Sequence, residues 1–379
     1  MSTESNTDEI NLAYELNDKP PLLKTTLLGI QHVGAMIVST MAVAIIVAGA
    51  VGLGPTETTR LIQMVVLFSG VATLVQVFPI GPVGAKLPIV MGTSFAFIGA
   101  SISVGQTYGL DAVFGAVIIA ALTEVLIGSQ YKRLKKFFPP LVTGLIVMII
   151  GLHLIPTGME YIAGGDPSAG SFGSLYNLGL GGLVFLVTVG LNLFLDGILR
   201  LLSVLIGIIV GYVAAFGIHV FTGIELISFT AVNEVGWAIL PQPAFFGLSF
   251  ELVPILIFAA LHLTAGMESI GDMSGITSAA GRNPTEDEIR GGLYVDGIMS
   301  SLGALFGAFP MTTFSQNVGI INFTGVMSRF VVAAGGVVLI GAGLIPKVGA
   351  FVLTIPEPVL GGALLVLFGT IASSGIRLI

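Results

Sequence analysis

Long apolar runs alternate along the chain with short polar joints, and most runs are about as long as a bilayer is thick. A transmembrane helix needs roughly 20 mostly apolar residues. Runs of that kind near residues 25–50, 60–79, 87–106, 111–129, 138–156, 176–196, 199–221, 249–273, 290–308, 314–327, 329–347 and 355–375 predict about twelve spans. Two depart from the pattern, because 87–106 and 314–327 are short or studded with Ser, Thr and Gly. Around the second, residues 310–325 read PMTTFSQNVGIINFTG, poor in charge and broken by Pro310, Gly319 and Gly325. Polar, interrupted backbone is tolerated at membrane depth only where it faces protein or a cavity. The stretch reads as a binding site for a small polar molecule.

Composition supports the membrane reading. Charged residues make up 9% of the chain and hydrophobic ones 54%, against about 25% charged in a soluble domain. The 52 glycines and 18 prolines suit close-packed and interrupted membrane helices. With no cysteine, disulfides, thiolate metal sites and cysteine nucleophiles are excluded. The net charge of -7 sits largely in the N-terminal tail and the loops, and no basic stripe suits nucleic acid. The polar, acidic tail over residues 1–22 is not a signal peptide, so the first internal helix must direct insertion.

Basic residues orient the spans. With the N-terminus cytoplasmic, Lys19, Lys24, Lys86, Lys132, Arg133, Lys135, Lys136, Arg200, Arg282, Arg290, Arg329 and Arg377 fall inside, and only Arg60 and Lys347 of the 14 fall outside. The outer loops 157–175 and 222–248 carry no Lys or Arg. This predicts a multi-pass protein of the cell inner (plasma) membrane with a cytoplasmic N-terminus.

The chain also echoes itself. Met91–Gly99, MGTSFAFIG, is similar to Met311–Gly319, MTTFSQNVG, and Pro139–Gly144, PPLVTG, is echoed by Glu357–Gly362, EPVLGG. The paired segments are spans three and ten, then spans five and twelve. An offset of seven is odd, so the halves have opposite orientation, the pattern of secondary transporters with a site at the repeat interface. The same repeat predicts counterparts of spans six and seven beyond Ile379, roughly 70–90 further residues; the chain is expected to be C-terminally truncated.

Ionisable residues inside the predicted spans are His32, Glu124, His153, Asp196, His219, His262, Glu268, Asp272 and Asp296. Each is costly in lipid and a functional candidate by default. Glu268 and Asp272 are four apart and share a helix face. Two carboxylates so close and away from water repel, so the pair can hold a proton. Asp296, after the charged loop Thr285–Arg290, reads as the opening of span nine, where the helix dipole favours an acid. Gln316 and Asn317 pair amide donors and acceptors, suited to a flat ring with alternating C=O and N–H groups, where a restarting helix leaves backbone N–H groups free. Phe95 offers a ring to a planar ligand or to packing. His32, beside Gln31, serves either as a helix-to-helix donor or in the site itself. Glu124, His153, Asp196, His219 and His262 read as structural, the last lying off the face of Glu268. No P-loop, GxSxG, HExxH or Rossmann pattern stands in a usable context, so the chain does not read as an enzyme.

Gln316-Asn-x-Gly-x-x-x-x-Thr324-Gly325 resembles the signature of the nucleobase–ascorbate transporter family, also called nucleobase:cation symporter-2. Gln31-His32, Gly92-Thr-Ser-Phe95, Glu268-Ser-Ile-Gly-Asp272 and Asp296 are similar to that family's other motifs, in the same order. The resemblance implies an all-α polytopic membrane protein of seven plus seven inverted spans, with short strands in the interrupted third and tenth. It implies a core domain from 23–130 (spans one to four) and 249–348 (spans eight to eleven). A gate domain would comprise 131–222 (spans five to seven) and 349–379 (span twelve), with spans thirteen and fourteen absent. Carried over, Glu268 accepts from ring N–H groups, Gln316 fixes the opposite edge, and Phe95, Ser315, Asn317 and Gly319 line the pocket. Asp272, Asp296 and His32 tune or carry the proton.

Glutamine at 316 is like the purine-transporting branch, which implies a purine nucleobase as substrate, xanthine first and urate next. It also implies elevator-type symport with a proton, sodium being the alternative ion, no cofactor, and a homodimer in the full-length form. A uracil or other nucleobase symporter is the nearest alternative. An anion permease of the same fold fits less well, because an anion disfavours Glu268 beside Asp272. A channel would need a continuous polar pore, and the polar residues form one cluster.

Overall fold

The computed structural model describes residues 12–134 and 140–379. Residues 1–11 of the polar tail, and Lys135, Lys136 and Pro139 of the sequence reading, lie outside the described residues.

All twelve expected runs appear as helices or half-helices. The first seven runs form α1 (Leu22–Ala50), α2 (Pro55–Val77), the interrupted β1 (Met91–Thr93) and α3 (Ile98–Tyr108), α4 (Leu110–Ala120) with α5 (Leu122–Ser129) and the short α6 (Tyr131–Leu134), α7 (Pro140–Ala163), α8 (Leu175–Phe194), and α9 (Ile198–Leu201) with α10 (Ser203–Thr222). After the short α11 (Thr230–Glu234) come α12 (Leu252–Ser278), α13 (Glu286–Leu305), β2 (Met311–Thr313) with α14 (Ser315–Thr324), α15 (Arg329–Leu344) with α16 (Pro346–Val352), and α17 (Glu357–Leu378). Among the described residues seven helices are long and apolar enough to cross a membrane, or eight if α15 and α16, bent by 86°, count as one span. Three others depart from a plain span for visible reasons. Helix α13 begins with Glu286, Asp287 and Glu288, and α3 and α14 are half-helices behind strands.

The start of α13 corrects one expectation. Thr285 caps it: its Oγ1 accepts from the Glu288 backbone N–H at 3.2 Å while its own N–H donates to Glu288 Oε2 at 2.7 Å. Arg282 donates to both oxygens of Glu288, at 2.8 and 2.6 Å. Asp296 therefore lies mid-helix and fully buried, not in the first turn. The cap at Thr285, five residues ahead of the predicted run, sets the helix start further back.

Packing repeats the sequence echo. β1 and β2 pair antiparallel, Met91 opposite Thr313 and Thr93 opposite Met311, and two more backbone bonds extend the ladder, Phe314 N–H to Val90 and Ser94 N–H to Pro310. The outer edges are closed by hydroxyls at matching places. Thr73 of α2 accepts from the Met91 N–H at 2.9 Å, and Ser300 of α13 accepts from the Met311 N–H at 2.9 Å. Helix α15 packs on α1 and α2, while α4 and α5 pack on α12 and α13, the same arrangement with the halves exchanged. A second set, α7, α8, α10 and α17, packs mainly on itself, with slimmer contacts to α1 and α12. Small residues let these backbones meet: a Cβ at Gly70 of α2 would lie 2.7 Å from the Gly336 carbonyl of α15.

Candidate functional site

Two half-helices point toward each other across the paired strands, and the polar groups collect there. Gly92 makes the crossing possible, since a Cβ at that position would strike the Phe314 ring and Thr40 Oγ1. Beyond β1, Ser94 caps a 3-10 turn, Phe95–Phe97, by accepting from the Ala96 N–H at 3.3 Å. Beyond β2, α14 starts with no side-chain cap, so its first N–H groups lack intrahelical acceptors.

Helix α12 supplies the acids. Asp272 is buried and accepts from Thr313 Oγ1 at 2.6 Å and Ser315 Oγ at 2.7 Å. These short bonds to a charged acceptor tie α12 to β2 and to the first residue of α14. The expectation that Asp272 and Glu268 share a helix face holds, and α12 runs on to Ser278, so Asp272 is not a solvated end residue. Ser269 adds a hydroxyl contact with Thr312 Oγ1 at 3.0 Å.

The amides divide. Asn317 is buried, and its Nδ2 donates to His32 Nδ1 at 3.0 Å and to the His32 carbonyl at 3.1 Å. In this bond the imidazole accepts through Nδ1, so the Asn317 Nδ2 pins α14 to α1, while the buried Asn317 Oδ1 has no partner among the described residues. Gln316, Glu268 and Gly319 are half-buried and Ser315 is exposed. Neither the Gln316 nor the Glu268 side chain bonds to another described residue. Phe95 is 8% exposed with its ring edge-on to Phe368 at 5.7 Å.

Asp296 stands one layer behind. Gln76 Nε2 donates to Asp296 Oδ1 at 3.3 Å and to the Gly292 carbonyl at 3.2 Å, while Gln76 Oε1 accepts from the Ala85 N–H at 3.1 Å. Sequence reasoning passed over Gln76; its signal was an amide, like Gln63, inside an apolar span. It also passed over residues 13–16. Tyr14 bridges to Val326, and Ala13 N–H bonds the Gly325 carbonyl, so the segment clamps the end of the 316–325 motif. Glu124 and His262, read as structural and separate, face each other with both side chains fully buried. Two open grooves of about 430 and 570 Å³ lie elsewhere, at the charged end of α13 around Arg290 and Asp287. Lys132 and Glu286 pair at 2.7 Å there, so the first groove offers no unmatched cluster.

Crossed half-helices on a short two-stranded bridge, with free amide and carboxylate groups between them, define a membrane transporter rather than an enzyme. Solved structures agree on the fold. The transmembrane domain of the cyanobacterial bicarbonate transporter BicA matches with a TM-score of 0.64 at 18% identity, covering 96% of this chain and 92% of that one. Murine Slc26a9, an anion transporter in the inward-facing state, matches with 0.65 at 13%, covering 94% and 62%. The fold is thus the seven-plus-seven inverted-repeat transporter fold. Residues 23–379 match the model of the Permease family, and the chain belongs to it, the nucleobase–ascorbate transporters. Among relatives, the uric acid permease PucK of Bacillus subtilis is 39% identical over 358 residues, covering 94% of this chain and 82% of that protein. The xanthine permease of the same organism is 38% identical over 357 residues, covering 94% and 80%. Xanthine permease XanP of Escherichia coli is 37% identical over 389 residues, covering 98% and 83%.

Proposed function

We propose that the protein carries a purine nucleobase, xanthine first and urate next, across the cell inner membrane together with a proton. The observation that carries this reading is the contrast within the site. Asp272 is bonded to Thr313 and Ser315, and Asn317 to His32, whereas Glu268 and Gln316 are half-buried and unspent. A carboxylate accepts only, and a primary amide both donates and accepts. Between them they match a flat ring with N–H groups on one edge and alternating C=O and N–H on the other. Glu268 accepts from the ring N–H groups, Gln316 reads the opposite edge, and Phe95, Ser315, Asn317 and Gly319 line the space. Relatives named for xanthine and uric acid support the purine class.

Asp272 and Asp296, with His32, tune the site's charge and carry the coupled proton. In this reading α1 to α5 with α12 to α16 act as a core, and α7 to α10 with α17 as a gate. The core slides past the gate, so the site opens alternately to each side. The N-terminus is cytoplasmic, and the functional unit is a homodimer.

The test is uptake of labelled xanthine into proteoliposomes. Uptake should follow an imposed proton gradient and collapse on adding a protonophore. Replacing Glu268 with Gln keeps the shape and removes the acceptor charge, so xanthine binding should be lost. Uptake indifferent to the proton gradient would sink symport, and normal binding by Glu268→Gln would sink the assigned role of that carboxylate.

A further inference from the structure

The transport reading leaves one buried acid–base pair without a task. Glu124 of α5 and His262 of α12 are each fully buried. Glu124 Oε1 lies 3.2 Å from His262 Nδ1, yet the two are not aligned for a hydrogen bond, and none of the four polar atoms has another partner among the described residues. A pair kept only to join two helices would be aligned, because an unmade bond leaves both groups desolvated.

We propose that Glu124 and His262 form a second proton-holding site, one shared proton per pair, whose geometry is set by the Phe95–Phe97 turn. The inference rests on the proton-coupled reading of the neighbouring acids. Charge counting fixes the proton number. With one proton the pair is neutral overall, as carboxyl and imidazole or as carboxylate and imidazolium. With none it leaves a bare negative charge, and with two a bare positive one, and either is strongly disfavoured away from water.

The surroundings reinforce that count. Asp296 of α13, with its Oδ2 unpartnered, and Glu268 of α12 are acids on the two helices that pack against α5. Asp272 lies one turn beyond Glu268, and the exposed His153 of α7 lies over Gly99. A carboxylate left bare at 124 would add to this acidic cluster. A shared proton keeps it out, and passing that proton to Asp296 leaves the summed charge unchanged, moving the negative charge from residue 296 to residue 124.

The link to the site is the Phe97 ring. Phe97 sits two residues beyond Phe95, its ring centroid 4.7 Å from that of His262 and 6.0 Å from that of Phe258, onto which it stacks. A shift of the turn against α12 therefore moves the imidazole relative to Glu124. Alignment of the pair, and hence its hold on the proton, follows the position of the first half-helix.

Three variants test this in proteoliposomes: Glu124→Gln, the apolar double variant Glu124→Leu with His262→Leu, and Glu124→Asp. Well-packed apolar replacements of a buried pair are commonly tolerated, so a purely structural pair predicts that the double variant transports normally. As a proton site, it predicts that Glu124→Gln and the double variant bind xanthine within about threefold of the parent. Their proton-driven uptake should fall at least tenfold and lose its pH dependence, while Glu124→Asp restores most of it. Parent-like uptake with an unchanged pH profile in either neutral variant overturns the proposal. If the parent itself fails to bind or carry xanthine, the purine reading fails instead. The pair is then judged by thermal unfolding against pH, where Glu124→Gln must differ from the parent, and identical profiles reject it.

Discussion

Gly92 shows how much one residue decides. It lies in the three-residue β1 where the Phe314 ring and Thr40 close in on the backbone. Gly92→Ala puts a methyl group into that contact, and overpacking of this kind costs about 1–3 kcal/mol. A lower thermal midpoint together with weaker xanthine binding is expected, because the half-helices are displaced with the strands; a variant with parental affinity would contradict this. Thr313 tests the same layer more finely. Thr313→Val keeps the shape of the side chain but removes the 2.6 Å bond to Asp272. A hydrogen bond to a charged group is worth about 1.5–3 kcal/mol, so calorimetry should show xanthine affinity reduced tenfold or more. Asp272 itself was legible in the sequence, from its spacing to Glu268. Its partners were not, since nothing local connects residue 272 to residues 313 and 315.

At the scale of elements, caps and small residues set where helices begin and how closely they pack. Thr285→Ala breaks the reciprocal cap of α13 at a cost of about 1 kcal/mol. Its effect should appear as a modest drop in thermal midpoint with xanthine affinity intact, since Asp296 lies eleven residues further on. The crossing of α7 and α17 is less forgiving. A Cβ at Gly151 would press on the backbone of Ala372 and the Phe368 carbonyl. Gly151→Leu is expected to lower the yield of monodisperse protein sharply, read by size-exclusion chromatography. Apolar run lengths made the helices legible, and the short polar runs marked α3 and α14 as irregular. The β1–β2 pairing was not legible from run length, because three-residue strands exist only through a partner over two hundred residues away.

At the scale of the whole molecule, the two packing sets make a moving boundary testable. Gly34 of α1 faces α10, where a Cβ would lie 3.5 Å from Leu205 Cδ2. The protein has no cysteine of its own, so Gly34→Cys with Leu205→Cys gives a single cross-link between the sets. Oxidation should leave xanthine binding measurable and reduce uptake at least tenfold, with recovery on reduction. Full uptake by the oxidised protein would rule out sliding at this boundary.

Legible along the chain were the membrane class, the twelve apolar runs, the two interrupted ones, and Glu268, Asp272 and Gln316 as site candidates. These follow from composition and from periodicity within single segments, where the cost of polar groups in lipid speaks directly. Which polar groups are spent and which remain free is set only when the segments pack together. Asn317 donates to His32, Gln76 holds Asp296, and Glu124 meets His262. Each pairing joins segments far apart in the chain, and a hydrogen bond depends on distance and direction in space rather than on spacing in sequence.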